Sequence, residues 1–394
     1  MFKFRGSLLI SKSWLNRAQI IYSYQKEKKI NANFESQDVL DLKKCIQDFQ
    51  NGKTEFDIGQ GGTTLRFFIF LITRKPGRYI LRTHDRLMDR PHEGAFSILD
   101  QMGVQVVKHK DYLEVLSSGW NWNSEVNAFG QSSSQFVSGL LLSSWHLEKE
   151  LDVIITKPIQ SSAYLLMTIQ LLQKSGLCFE INENESYLRI LIGPNQSPNV
   201  ENLNIELDVS SAFSLAACAV VDGDVEITNW SINSIQPDSI FLYLFKKMGI
   251  RFEESNDRLK IIKHNNWNSI DANLNSSPDL FPVLAALLAL AQGKSRLYGA
   301  SQLKDKESDR IHKTFELLSS CGFKVEKNED GLTIYGGSSL RNKSELIEFD
   351  PDHDHRMAMA AAIFKLAGFN IHIRHANVVN KSYPQFWSNV GVIP

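Results

Sequence analysis

One phrase recurs through this sequence: a helix-like apolar stretch, a glycine, a strand-like run, a turn and a second strand-like run. It occupies residues 99–116, 171–192, 245–262 and 317–335. Gly103 after Met102, Gly249 after Met248 and Gly322 after Cys321 read as helix C-caps, a position whose left-handed backbone favours glycine. A phrase that returns with a long period implies an α/β architecture built from duplicated units. The strand-like runs are 78–82, 104–107, 113–116, 153–155, 188–192, 225–228, 259–262, 332–335 and 371–373. Asn256-Asp257 and Asp330-Gly331 read as hairpin turns. The turn-rich stretch Gly193-Pro-Asn-Gln-Ser-Pro-Asn199 is the best compositional candidate for a domain boundary, and an ordinary surface loop accounts for it equally well.

A second pattern overlies the first. Six times a small polar cluster stands directly before an apolar stretch of helical spacing. The clusters are Ser11-Lys12-Ser13, Gly61-Gly62-Thr63-Thr64, Ser132-Ser133-Ser134, Asp208 with Ser210-Ser211, Ser276-Ser277-Pro278-Asp279 and Asp354-His355-Arg356. Ser, Thr, Asp and Gly are N-cap types, and Pro278 suits a first helical turn. N-capping alone explains any one copy. Six copies, several beside Lys or Arg, point further, because a helix N-terminus presents free N–H groups and about half a positive charge to an anion.

Composition narrows the class. The 394 residues carry 43 Lys and Arg against 44 Asp and Glu, a net charge of −1. Nucleic-acid binding needs a basic excess or a dense basic patch, so no nucleic-acid partner is expected, whereas a local basic cluster around a small anion remains open. With 23 Phe, 10 Tyr and 7 Trp there is ample surface to bury. Cys45, Cys178, Cys218 and Cys321 are far apart, with no metal-binding or disulfide spacing. The longest apolar stretch, 280–291, is interrupted by Pro282 and falls short of the roughly 18 residues of a membrane span. The start Met1-Phe-Lys-Phe-Arg-Gly has only the short run Leu8 to Ile10 behind it, unlike a signal peptide. A cytoplasmic protein without membrane or nucleic-acid partners is the expectation.

Three charged runs stand out: His84-Asp85-Arg86-Leu87-Met88-Asp89-Arg90, Lys304-Asp305-Lys306-Glu307-Ser308-Asp309-Arg310 and Asp352-His353-Asp354-His355-Arg356. A solvated face is the plain reading of each, and Arg suits bidentate contact with carboxylate or phosphate. His353 and His355 invite a metal, but no third ligand is near and oxygen donors are too few, so no metal is expected. GxSxG, GxGxxG after a strand, and GxxxxGK[ST] are all missing.

The segments SKSWLNRA from Ser11, GGTTLR from Gly61, DRLMDRP from Asp85, SSQFVSGLL from Ser133, DVSSAFSLAA from Asp208, SPDLFPVLAA from Ser277, KDKESDR from Lys304, DHRMAMA from Asp354 and NKSYPQFW from Asn380 occur in this order over nearly the whole chain. In them the chain resembles the 5-enolpyruvylshikimate-3-phosphate (EPSP) synthases, the 3-phosphoshikimate 1-carboxyvinyltransferases of aromatic amino-acid biosynthesis. KESDR with DHRMAM is the specific part. The resemblance implies a two-domain, inside-out α/β barrel fold. Each domain would hold three βαβαββ repeats, with helix N-termini facing a central cleft. It implies an inserted domain at 11–206 on the shikimate-3-phosphate side. A second domain, 1–10 plus 207–394, would carry the acid/base residues.

The same resemblance implies a monomeric enzyme without metal or organic cofactor. It would transfer the enolpyruvyl group of phosphoenolpyruvate to the 5-hydroxyl of shikimate-3-phosphate and release phosphate. Shikimate-3-phosphate would be held by Lys12, Ser13, Arg17, Ser133, Ser134, Gln135, Ser161, Tyr164, Asp279, Gln302 and Lys306. Phosphoenolpyruvate would be held by Lys12, Gly62, Thr63, Arg86, Gln135, Glu307, Arg310, Arg356 and Lys381. Asp279 is the expected base for the hydroxyl and Glu307 the acid/base at the methylene carbon, with Lys12, Lys381 and His355 assisting. The sequence departs from the family at Gln60-Gly61 (usually Asn-Ala), Phe67 (usually Pro), Leu9-Ile10 (usually Pro-Gly) and Gln302 (usually Asn). Thr156-Lys157-Pro158 is a competing register for the Ser161 segment. The alternatives weigh less. A UDP-N-acetylglucosamine enolpyruvyl transferase usually carries a Cys in the loop matching 84–91, and none stands there. A non-catalytic binding protein on this scaffold would be expected to lack Asp279, Glu307 or Lys381, and all are present.

Overall fold

The structure, a computed structural model, describes residues 1–25, 36–131, 133–200, 203, 205–337 and 339–394. By its internal contacts the chain forms two compact units: Met1–Ser11 with Glu206–Pro394, and Lys12–Ile205. The stretch 193–199 does not separate them. It is stapled inside the second unit, where Asn195 N–H donates to the Leu147 carbonyl at 2.7 Å and Asn199 N–H to that of Ser175 at 2.9 Å. Proline and asparagine mark turns, but only the hydrogen-bond partners decide whether a turn is a linker.

Four sheets share one plan. In the unit Lys12–Ile205 they are built from Glu55–Asp57, Gly77–Arg82, Gln105–Lys108 and Tyr112–Ser117, and from Val126–Ala128, Leu151–Thr156, Phe179–Glu183 and Tyr187–Ile192. In the other unit they comprise Phe2–Gly6, Gly223–Trp230, Phe252–Ser255 and Asp257–Ile262, and then Asp271–Asn273, Gly293–Tyr298, Lys324–Asn328 and Gly331–Gly336. In each, the strands lie in the spatial order first, second, fourth, third. The first pair is parallel and the rest antiparallel. A shorter copy pairs Ile347–Phe349 with Ile371–Ile373 in parallel. The N-terminal strand is thus the first strand of a copy whose second strand begins at Gly223, so unit Lys12–Ile205 is inserted within one repeat.

All nine strand-like runs of the sequence lie on strands, each within a residue or so. Four of the strands that went unread have three residues, too few for alternation to show. Phe252–Ser255, Lys324–Asn328 and Phe179–Glu183 are edge strands rich in charge, as exposed edges usually are. Gly103, Gly249 and Gly322 cap their helices with φ of 75°, 76° and 80°. Ser255 pairs with Arg258 across the Asn256-Asp257 turn. The second turn falls one residue early, at Glu329-Asp330. Gly331 is already paired with Asn328, and a Cβ there would collide with the Leu297 carbonyl.

Each unit has three buried helices at its centre. In the unit ending at Pro394, Val209–Asp222, Phe281–Ala289 and His355–Leu366 pack on one another and are buried almost all round. In unit Lys12–Ile205 the helices Lys12–Ser23, Gly62–Ile72 and Ser134–Leu142 do the same. The strands alternate buried and exposed residues around them, as in Leu151–Thr156 and Tyr187–Ile192. Among the described residues no helix is long and apolar enough to cross a membrane.

Candidate active site

Among the described residues, five of the six polar clusters begin α-helices directly; Ser132 lies outside the described residues. The sixth begins a 3₁₀ turn, Pro278–Leu280, that runs into helix Phe281–Ala289. Capping is observed at three: Ser133 accepts from Gln135 N–H, Asp208 from Ser211 N–H and Asp354 from Arg356 N–H. Within each unit, side-chain bonds tie these helix starts to one another.

In unit Lys12–Ile205 the ties are mostly neutral. Gln135 Nε2 donates to Thr63 Oγ1 at 2.9 Å, and Gln135 Oε1 accepts from Arg66 Nη1 at 2.7 Å, which joins the starts of two helices. Lys12 Nζ lies 2.9 Å from Asp38 Oδ2, and the Asp38 carbonyl accepts from Thr64 Oγ1 at 3.1 Å. Gly62 and Thr63 are half-buried, and Arg90 lies where a Gly62 side chain would be. Arg86, on the short helix Asp85–Met88, is half-buried. Arg17 is 1% exposed. Its Nε donates to Thr168 Oγ1 at 2.7 Å, Nη1 to the Ser13 carbonyl at 2.8 Å and Nη2 to the Tyr164 carbonyl at 3.1 Å. Burial pulls its pKa down to about 10. Ser133, Ser161 and Tyr164 are half-buried, Ser134 is buried, and Ser161 takes φ 53° immediately before helix Ser162–Lys174. Thr156, of the competing register, ends strand Leu151–Thr156, and its hydroxyl accepts from Gly130 N–H at 3.2 Å.

The other unit presents a dense ionic network. Arg310 is 1% exposed and bridges three carboxylates. Nη1 reaches Asp279 Oδ1 at 2.8 Å, Nη2 reaches Glu307 Oε2 at 3.0 Å, and Nε reaches Asp354 Oδ2 at 2.7 Å. Arg356 Nη2 holds the other Asp279 oxygen at 2.8 Å, and Lys381 Nζ lies 3.7 Å from Glu307. Burial by itself would raise the Asp279 pKa. Arg356, Arg310 and Lys306 outweigh it and hold the carboxyl well below the usual range. Burial by itself would lower that of Arg310, and Asp354, Glu307 and Asp279 raise it instead. The side chain of Asp279 keeps 22% exposure and that of Glu307 18%, so both carboxylates reach the surface while the guanidinium between them does not. His355 is buried, its Nδ1 3.9 Å from Asp354. Gln302 is 8% exposed and donates to the Asn275 carbonyl at 3.1 Å.

Sequence reasoning missed four participants: Asp38, Arg66, Asp238 and, in its role toward Arg310, Asp354. Asp354 is fully buried and accepts from Ser308 Oγ at 3.1 Å as well as from Arg310 and from Arg356 N–H. Its place before a helical run marked a cap, but nothing local marks a partner 44 residues away. Asp238 is 1% exposed and accepts from Ser210 Oγ. Burial, and next the charge of Asp279, push it up to about 7. It stands in SIQPDSIF, where a 3₁₀ turn start is the only local signal.

Residues 26–390 match the family described as EPSP synthase (3-phosphoshikimate 1-carboxyvinyltransferase). The chain belongs to the EPSP synthase family. A 3-phosphoshikimate 1-carboxyvinyltransferase of Clostridium acetobutylicum is 32% identical over 341 residues, 86% of this chain and 77% of that protein. One from Methanococcus maripaludis is 34% identical over 336 residues, covering 84% and 77%. The EPSP synthase of Acinetobacter baumannii, 21% identical, covers 99% of this chain and 95% of its own with a TM-score of 0.75, which shows a common fold. The α/β repeats described above are therefore those of an EPSP synthase family member.

Proposed function

We propose that this protein is a cytoplasmic, monomeric 3-phosphoshikimate 1-carboxyvinyltransferase that needs no metal or organic cofactor. The observation that carries the reading is the pair of surface-reaching carboxylates, Asp279 and Glu307, bridged at 2.8 and 3.0 Å by one buried guanidinium. Family membership supports the choice of reaction. Lys12, Ser13, Arg17, Ser133, Ser134, Gln135, Ser161, Tyr164, Asp279, Gln302 and Lys306 bind shikimate-3-phosphate. Gly62, Thr63, Arg86, Arg310, Arg356 and Lys381 bind phosphoenolpyruvate.

The first step moves two protons. The 5-hydroxyl oxygen bonds to C2 of phosphoenolpyruvate as its proton passes to Asp279, while C3 gains a proton from Glu307 and becomes a methyl group. In the second step the methyl returns a proton to Glu307, the C2–O bond to phosphate breaks, the vinyl double bond re-forms, and the departing phosphate takes up the proton held by Asp279. As found, Asp279 is a weak base because two arginines hold it ionised. Phosphoenolpyruvate is itself a polyanion and competes for Arg310, Arg356 and Lys381. Transfer of those cations to the substrate raises the basicity of Asp279 and Glu307 when the donor arrives, and the same cations stabilise departing phosphate. Phosphate release from shikimate-3-phosphate plus phosphoenolpyruvate tests the reading. Release that requires both substrates supports it, and none with folded protein refutes it.

A further inference from the structure

Arg17 poses an electrostatic problem that its hydrogen bonds do not solve. It is 1% exposed, yet its hydrogen bonds go to neutral acceptors: a threonine hydroxyl and two backbone carbonyls. Three of its five N–H groups are used in this way. A buried cation without a carboxylate is costly unless something else answers its charge. The ring of Phe67 does so. The Arg17 Cζ stands over it, 5.2 Å from the centroid, within the range of a cation–π contact. Phe67 is fully buried, in the interior of helix Gly62–Ile72, whose start carries Gly62 and Thr63. Arg17 lies on helix Lys12–Ser23, and Thr168 on helix Ser162–Lys174. The ring therefore joins the element that begins at Gly62 to the guanidinium between the other two.

We propose that Phe67 is a positioning residue for the phosphorylated acceptor: its ring answers the buried charge of Arg17 and fixes the guanidinium for the substrate anion. This arrangement makes affinity for shikimate-3-phosphate depend on a residue that touches no substrate. The proposal rests on the assignment of Arg17 to shikimate-3-phosphate given above.

The test compares three variants of the full-length protein by steady-state kinetics in both substrates, with melting temperatures alongside. Phe67→Leu keeps an apolar side chain and removes the ring. Phe68→Leu makes the same change at a ring that packs on Phe49 and Phe56 instead. Arg17→Gln removes the cation. Phe67→Leu is expected to raise KM for shikimate-3-phosphate about tenfold, with kcat and KM for phosphoenolpyruvate changed less than twofold. Phe68→Leu, with a similar drop in melting temperature, leaves all three within twofold. If Phe67→Leu matches Phe68→Leu in KM while Arg17→Gln raises it, the positioning role is refuted and the assignment of Arg17 survives. If Arg17→Gln leaves that KM unchanged, the assignment fails and the proposal falls with it. Should Phe67→Leu not fold, Phe67→Met, which keeps bulk and flexibility without the ring, is read by the same criteria.

Discussion

Arg17 and Arg310 are equally buried, each 1% exposed, yet their surroundings are opposite. Arg17 meets hydroxyl, carbonyl and ring, and burial lowers its pKa to about 10. Arg310 meets Asp279, Glu307 and Asp354, and the three carboxylates raise its pKa despite the burial. The first arginine keeps an unneutralised charge and is suited to attract an anion. The second has its charge neutralised and is suited to orient two carboxylates. Units with matching repeats thus carry different side-chain chemistry at their helix starts: mostly hydroxyls and amides around Arg17 in Lys12–Ile205, a cation–carboxylate lattice in the other.

The contrast breaks hardest at the carboxylates. Glu307→Gln and Asp279→Asn should each lower kcat by about 10²–10⁴-fold, roughly 3–5 kcal/mol, with KM values changed far less. Equal factors in kcat and KM would make them binding groups instead. Next comes Asp238. Its pKa of about 7 stands above the ordinary 3.8, so the unfolded chain loses this proton from about pH 4 upward while the folded chain keeps it until about pH 7. Stability therefore falls across that window, and Asp238→Asn should stabilise the protein at pH 8 by up to about 4 kcal/mol, with no gain below pH 4. Urea unfolding at several pH values reads this, and a gain independent of pH would contradict the burial argument.

Asp354→Asn should cost about 3 kcal/mol, since it strips a buried charge partner from Arg310. The loss should show as a lower urea midpoint with unchanged m. The smallest effect is expected in unit Lys12–Ile205. Arg66→Lys removes the guanidinium N–H that holds Gln135 Oε1 and should cost about 1 kcal/mol, seen as a few-fold rise in KM with kcat retained. A large fall in kcat there would mean that the two halves do not divide the work as their charges indicate.

Much of the fold is legible in the sequence where one residue type answers one local need. Gly103, Gly249 and Gly322 sit at left-handed C-caps, and Ser133, Asp208 and Asp354 sit at N-caps, because a backbone conformation or a free N–H selects them on the spot. The three-residue strands Glu55–Asp57, Val126–Ala128 and Asp271–Asn273 carry no readable period, and pairing with a neighbour defines them. The loop 193–199 has linker composition and is pinned by Leu147 and Ser175. Among the candidate site residues, Glu307, Arg310 and Arg356 stand in conspicuous charged runs and Asp279 in a polar cluster before a helix. Asp38, Arg66 and Asp238 stand in ordinary surroundings, and only their partners make them notable.

The sequence by itself determined the repeat, the six helix starts and the family, since these depend on residues a few positions apart and on motif order. The tertiary structure alone decided which charges are neutralised. Arg310 and Asp354 are 44 positions apart, Arg17 and Thr168 151, and Coulomb attraction and desolvation act through distance in space, which the folded chain sets.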